Sequence, residues 1–180
     1  MVRRSTLQIR KPSTVAAPKP LSLPLQRPRL CVHSRQYETV EAWLRGYGPL
    51  DAILDVGCGR STVATLGAFR LRYTIDPLPR PPIPDVIALS GLFPDDWHPQ
   101  TRFKPSAIVC LDVLHDHWKP SSLAQHLLRR TERVIVSIPW GIELPAESDP
   151  VNVLVAWFGR RPRRWEVERT FPPRVVAEFM

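Results

Sequence analysis

The stretch Ile53-Leu54-Asp55-Val56-Gly57-Cys58-Gly59-Arg60-Ser61 decides the fold. Ala52 to Val56 is a short apolar run broken only by Asp55, the pattern of a strand buried on both faces. Gly57 and Gly59 follow at once and make a turn. Without a Cβ, both take positive φ easily and let a ligand approach the backbone. Ser61 is placed to cap the helix expected next, whose first N–H groups favour a polar or anionic neighbour. Strand, acid, two-glycine turn and helix start together describe a cradle for a nucleotide-like molecule.

The spacing excludes a dinucleotide fingerprint. That pattern needs a third glycine three residues after the second, so that the helix packs beneath a pyrophosphate. Here that position is Thr62. An acid two residues before the first glycine suits instead a ligand with a cationic amino group and no pyrophosphate. The stretch resembles motif I of the class I S-adenosylmethionine-dependent methyltransferases, acid-x-Gly-x-Gly-x-Gly/Ser. The resemblance implies S-adenosylmethionine as cofactor, held around Asp55, Gly57, Cys58 and Gly59. On their own, two glycines fit a plain strand-to-helix turn equally well.

A length of 180 residues predicts one domain with a real core. The net charge of +8 is unevenly spread. Residues 1–35 carry eight Lys or Arg, no acid, and five prolines before residue 30. The remaining 17 basic and 17 acidic side chains cancel. We therefore read residues 1–33 as a disordered, basic, Pro-rich arm and residues 34–180 as a methyltransferase-like domain. A solvated tail is the favoured reading of the arm. An electrostatic arm for nucleic acid or another polyanion, or an organellar transit peptide weakened by its prolines, are the alternatives. No apolar run of about 18 residues is present, so no membrane association is expected and the location is read as cytoplasmic. Cys31, Cys58 and Cys110 form no metal-ligand pattern and read as reduced thiols.

Ser34 is placed to cap a helix to about Arg45, with Tyr37, Val40, Trp43 and Leu44 near one face. After the strand Ala52–Val56, a short helix is expected from Thr62 to Phe69, then a strand Leu71–Ile75 ending at Asp76. Asp76 lies 17 residues after Gly59, near the spacing at which an acid meets a ribose diol. A carboxylate can accept both hydroxyls. Tyr73-Thr74-Ile75-Asp76-Pro77 is similar to the family's second motif, which implies that role for Asp76. Five prolines between Pro77 and Pro84 forbid the usual crossover helix. The next strand is read as Asp85–Leu89, and the connection from Pro94 to Pro105 holds little more than one helical turn. This flank of the sheet is therefore expected to be thinly covered and to face a partner or the arm.

Ala107–Leu111 reads as a central strand ending at Asp112. Val113-Leu114-His115-Asp116-His117-Trp118-Lys119-Pro120 resembles the family's segment after strand four, often Asp-Val-Leu-Glu-His-x-x-x-Pro, with the Glu-His pair replaced by His115-Asp116. A helix capped by Ser121 or Ser122 carries Leu123, Leu127 and Leu128, and Arg133–Ile138 is a fifth strand. Asp149 and Pro150 start a helix that Gly159 stops. Trp165 and Val167 alternate with polar residues as in a strand with one face buried, and Val175–Phe179 closes the chain as a last strand.

These elements predict an α/β, Rossmann-like, mostly parallel seven-stranded sheet with a closing antiparallel hairpin. The family resemblance implies in-line methyl transfer to an acceptor that is a small molecule or an exposed group of a macromolecule. It adds Ser90 and Asp112 to the cofactor residues. His115 and His117 are the base candidates, with Asp116 as an orienting carboxylate, because histidine titrates near neutrality. Trp118 and Trp140 lie at the same rim, as an acceptor wall or as packing. Two other readings stay open: a methyltransferase-like binding protein without turnover, and an RNA methyltransferase using the basic arm.

Overall fold

The computed structural model describes residues 35–59, 62–78, 81–97, 104–140, 149–169 and 172–180. Readings that concern the arm, Cys31, Ser34 and Ser61 lie outside them. Strands β1 (Leu50–Val56), β2 (Phe69–Asp76), β3 (Ile87–Ser90), β4 (Ala107–Leu111), β5 (Val134–Pro139), β6 (Arg164–Glu168) and β7 (Arg174–Phe179) form one sheet. Its order is β3-β2-β1-β4-β5-β7-β6. Strands β3, β2, β1, β4 and β5 run parallel, and β7 is antiparallel to both β5 and β6. This is the sheet with a closing hairpin that the strand pattern predicts.

Helices α1 (Arg35–Arg45), α2 (Pro120–Arg130) and α3 (Pro150–Phe158) cover it. On one side Val40, Trp43 and Leu44 of α1 pack on Ile53, Val109, Ile135 and Val176. On the other, Leu123 and Leu127 of α2 and Leu154 and Phe158 of α3 meet Leu54, Ile108, Val136 and Phe179. The rings of Phe158 and Phe179 stack at 3.9 Å. Strands β4 and β5 are buried throughout. That is why β4 reads as an unbroken apolar run and β5 as one interrupted only by Ser137, since parallel strands are covered on both faces. Asp149 caps α3 through Val151 N–H (2.9 Å) and Gly159 ends it in the left-handed region.

Several expectations need correction. The helix expected over 62–69 is a single 3-10 turn, Val63–Thr65, capped by Thr62. Gly67 at φ 81 ends it, so β2 starts early, at Phe69. Strand β3 starts at Ile87 because Asp85 has φ 61, which no strand residue adopts. Pro120 is the first residue of α2, and no side chain caps it. Gln36 is also buried in the first turn of α1, beside Tyr37, which is half-buried against the cluster of Val40, Trp43 and Leu44. Trp165 and Val167 are half exposed, because α3 packs on β7 and does not cover the edge strand β6.

Among the described residues no helix lies between β2 and β3 or between β3 and β4. Phe93 and Trp97 fold back over Tyr73 instead, with Tyr73 and Trp97 edge to face at 5.8 Å. Leu78, Ile87 and Leu92 remain exposed. The flank thus keeps one aromatic patch of cover.

Candidate functional site

The glycine turn joins β1 to the 3-10 turn at the carboxyl end of the sheet. Gly57 has φ 70 and Gly59 φ 53. A Cβ at Gly57 would overlap Cγ2 of Val113, so only glycine lets β1 and the segment after β4 close together. A Cβ at Gly59 would meet nothing within 4 Å. One glycine is thus needed for packing, and the other leaves an open approach to the backbone.

Asp55 is buried and turns inward. Its Oδ2 accepts from the Thr62 hydroxyl (2.6 Å) and from Val63 N–H (2.9 Å). The acid of the motif therefore fastens the far side of the turn. Asp76, at the end of β2, faces the near side. Its Oδ2 accepts from Gly59 N–H at 2.7 Å, and its Oδ1 from Leu78 N–H at 2.9 Å. A carboxylate has about four lone-pair sites, so both oxygens keep acceptor capacity. Ser90 is the register neighbour of Asp76 across β2 and β3 and is exposed there. Cys58 lies buried in the turn and is in no disulfide.

Asp112 ends β4 at φ 54, a conformation Asp tolerates better than most residues. Its Oδ2 takes Arg174 Nε at 2.8 Å and Gln36 Nε2 at 3.3 Å. Ser137 Oγ lies 2.9 Å from its Oδ1 and 2.8 Å from Gln36 Oε1. Asp112 is thereby bound to α1, β5 and β7 at once. Burial, with Asp55 and Asp112 nearby, pushes the Cys110 thiol far up from its usual value of 9.0.

His115 and His117 diverge. The His115 side chain is buried, with Nε2 3.4 Å from Asp116 Oδ1. His117 Nδ1 accepts from Lys119 N–H at 3.1 Å. Trp118 is 79% exposed, with Lys119 Nζ 4.1 Å from its ring centroid. Trp140 hydrogen-bonds through its backbone N–H to Pro173 O at 2.7 Å. It lines a groove of about 550 Å³ with Val151, Val155, Trp165 and Val167. The two tryptophans thus form no common wall.

Gln36, Thr62, Ser137, Glu168 and Arg174 are the polar residues that the sequence reading passed over. Gln36 carried a signal: it sits one turn before Val40 on the apolar stripe of α1. Thr62 follows Ser61, and the nearer hydroxyl to the glycines drew the capping role.

No protein-family model matches the sequence, and no curated protein matches it. Solved structures do match its shape. This is the class I methyltransferase fold. The magnesium protoporphyrin IX methyltransferase of Synechocystis, crystallised with bound S-adenosylmethionine, superposes with a TM-score of 0.57 at 20% identity, over 80% of this chain and 77% of that one. The N-methyltransferase NodS of Bradyrhizobium japonicum gives a TM-score of 0.62 at 9% identity, over 81% of this chain and 93% of that one. A ribosomal RNA methyltransferase of Plasmodium falciparum gives 0.52 at 15% identity, over 81% and 96%. In the methyltransferase fold of this chain, the glycine turn, Asp76 and Asp112 all lie at carboxyl ends of parallel strands, where open α/β sheets bind ligands. Among the described residues no helix is long and apolar enough to cross a membrane, and no His, Cys, Asp and Glu group is arranged to hold a metal ion.

Proposed function

We propose that residues 34–180 form a methyltransferase domain that binds S-adenosylmethionine and acts on an acceptor not identified by the sequence. The observation that carries the reading is the Asp76 carboxylate held 2.7 Å from the Gly59 N–H, beside an open face of the turn. Asp76 and Ser90 would receive the ribose hydroxyls. The backbone of Gly57, Cys58 and Gly59 would lie along the methionine part. Asp55 acts on the turn through Thr62 and Val63, so it is a positioning residue. Asp112, held by Arg174, Gln36 and Ser137, fixes the end of β4 beside the turn. When bound, S-adenosylmethionine supplies an activated methyl group; the protein aligns it and the acceptor. His115 and His117 are the base candidates for an acceptor that keeps a proton.

Calorimetry with S-adenosylmethionine and S-adenosylhomocysteine tests the pocket. Removing charged hydrogen bonds worth about 1.5–3 kcal/mol each predicts at least a tenfold loss in Asp76→Ala. Asp55→Ala loses affinity through a disordered turn. Absent binding to the wild type, or equal binding in all three proteins, rejects the reading. A second reading, a binding protein without turnover, is favoured by Asp112, whose carboxylate is committed to Arg174 and Gln36. Cofactor binding with no methylated product from amine, hydroxyl or RNA acceptors would favour it.

A further inference from the structure

The α3 side of the closing hairpin carries a groove that the cofactor reading does not use. Trp165 and Val167 of β6 are in register with Ala177 and Val175 of β7, which lie in the core under α2 and α3. The two β6 side chains therefore face the α3 side, where they stay 50% and 46% exposed. With Trp140, Val151, Val155 and Pro162 they line a groove of about 550 Å³. It runs along α3, from Asp149 at the helix start to Arg161 beyond Gly159. The helix has 9 residues, so at about 1.5 Å each the groove is about 14 Å long. Tryptophans, valines and a proline make the kind of wall on which proline-containing extended segments dock.

The chain itself supplies an occupant of that size. Helix α1 begins at Arg35, and Gln36 Oε1 accepts from Ser137 Oγ at 2.8 Å. Ser137 lies on β5, just before Trp140, so residues 1–34 join the domain at the edge where the groove opens. The way from there to the α3 face is about 10 Å along the strand and about 10 Å through one layer. Residues 26–34, extended, reach up to about 30 Å and cover it. Between Lys19 and Arg27 the chain reads Pro20-Leu21-Ser22-Leu23-Pro24-Leu25-Gln26, without a charge. In a polyproline-like form Leu21 to Leu25 measures about 15 Å, the length of the groove. Arg27 and Arg29 then fall toward Asp149, an exposed acid, while the uncharged end meets Arg161, which would repel a basic residue. We propose that Leu21 to Leu25 docks in the groove between α3 and β6 of its own chain and straps the N-terminal arm to the hairpin. The tether gives the segment a local concentration on the order of 1 mM, so an intrinsic Kd of about 0.1 mM keeps about nine grooves in ten filled. Docking of the arm is independent of cofactor binding.

The experiment uses the full chain with isotope-labelled tryptophans, Cys31→Ser, and a nitroxide on Ser22→Cys; Cys58 and Cys110 are buried and escape the label. Expected is loss of the Trp165 indole N–H signal by NMR, recovered when the nitroxide is reduced, while Trp97 on the opposite flank keeps its signal. Adding Leu23→Asp and Leu25→Asp should restore Trp165. An undiminished Trp165 signal, or a loss that survives both substitutions, overturns the proposal. Equal loss in a mixture of isotope-labelled chains and separate nitroxide-bearing chains also overturns it and assigns the groove to a second copy. A label-free measurement stands beside these: a synthetic peptide of residues 18–28, added to the unlabelled-arm chain carrying Leu23→Asp and Leu25→Asp, should shift the Trp165 indole saturably with a Kd below about 1 mM. No shift of Trp165 with the peptide rejects the groove as its site.

Discussion

Gly57→Ala puts the joint between β1 and the segment after β4 to the test. Two costs add at this position. The left-handed φ of 70 costs an alanine about 1–2 kcal/mol relative to an unstrained conformation. The new Cβ also overlaps Val113 Cγ2, and Val113 is β-branched and packed against the core, so it has little room to turn away. Overpacking of this kind costs about 1–3 kcal/mol. The sum, about 2–5 kcal/mol, is a large part of the 5–15 kcal/mol typical of a domain. Val113→Ala separates the two costs. Alone, it removes two partly buried methyl groups and costs on the order of 1 kcal/mol. In the double variant the overlap is gone while the backbone strain stays. The cycle should show a favourable coupling of about 1–3 kcal/mol. Urea unfolding followed by circular dichroism, with an unchanged m value, measures all four proteins. A Gly57→Ala cost below about 1 kcal/mol, or additivity within about 0.5 kcal/mol, refutes the close approach.

Burial pushes the Glu168 carboxyl up from its usual 4.5, with Glu166 and Glu38 adding to the rise and Thr39 and Arg174 opposing it. The folded state then holds this proton more tightly than the unfolded one, so stability falls as pH rises above 4.5 toward the folded value. Glu168→Gln should remove that part of the slope in urea midpoints taken from mild acid to neutrality; parallel curves for the two proteins contradict it. Asp55→Ala leaves the buried Thr62 hydroxyl and Val63 N–H without their acceptor and should cost about 2–5 kcal/mol by unfolding in urea, with Asp55→Asn milder. Cys110, buried and with its thiol pushed far above the usual value, should resist iodoacetamide until the protein unfolds, as read by mass spectrometry. If residues 1–33 serve RNA binding, affinity should fall steeply with salt and vanish on their deletion; retained, salt-insensitive binding speaks against the arm.

Much of the architecture was legible because local chemistry and tertiary position agree. The apolar runs of β4 and of β5, the latter interrupted only by Ser137, announce strands covered on both faces, and Asp149, Pro150 and Gly159 mark both ends of α3. The prolines after Asp76 announce the missing crossover helix. The edge strands were harder. Trp165 and Val167 have the alternation of a half-buried strand, yet they depend on whether α3 reaches β6, which only the packed fold decides. In the site, Asp55 and Asp76 stood out by their spacing to the glycines. The partners of Asp112 did not, since Gln36, Ser137 and Arg174 lie 76, 25 and 62 residues away. Long-range hydrogen bonds between polar residues leave no periodic trace in a sequence.

The two borders of the sheet differ in how they can meet another molecule. Strand β3 is four residues long, with Pro82 and Pro84 before it and Pro94 soon after. So short a ladder, bounded by residues that cannot donate, offers a poor template for strand addition. At the opposite border β6 presents Arg164 and Glu166, charges that discourage a second copy from extending the sheet. Self-association through backbone pairing is thus disfavoured at both ends despite exposed Ile87, Trp165 and Val167. Anything that covers the bare flank must therefore lie across its face and recognise side chains such as Leu78, Ile87 and Leu92, so that specificity there is set by shape and not by a shared ladder.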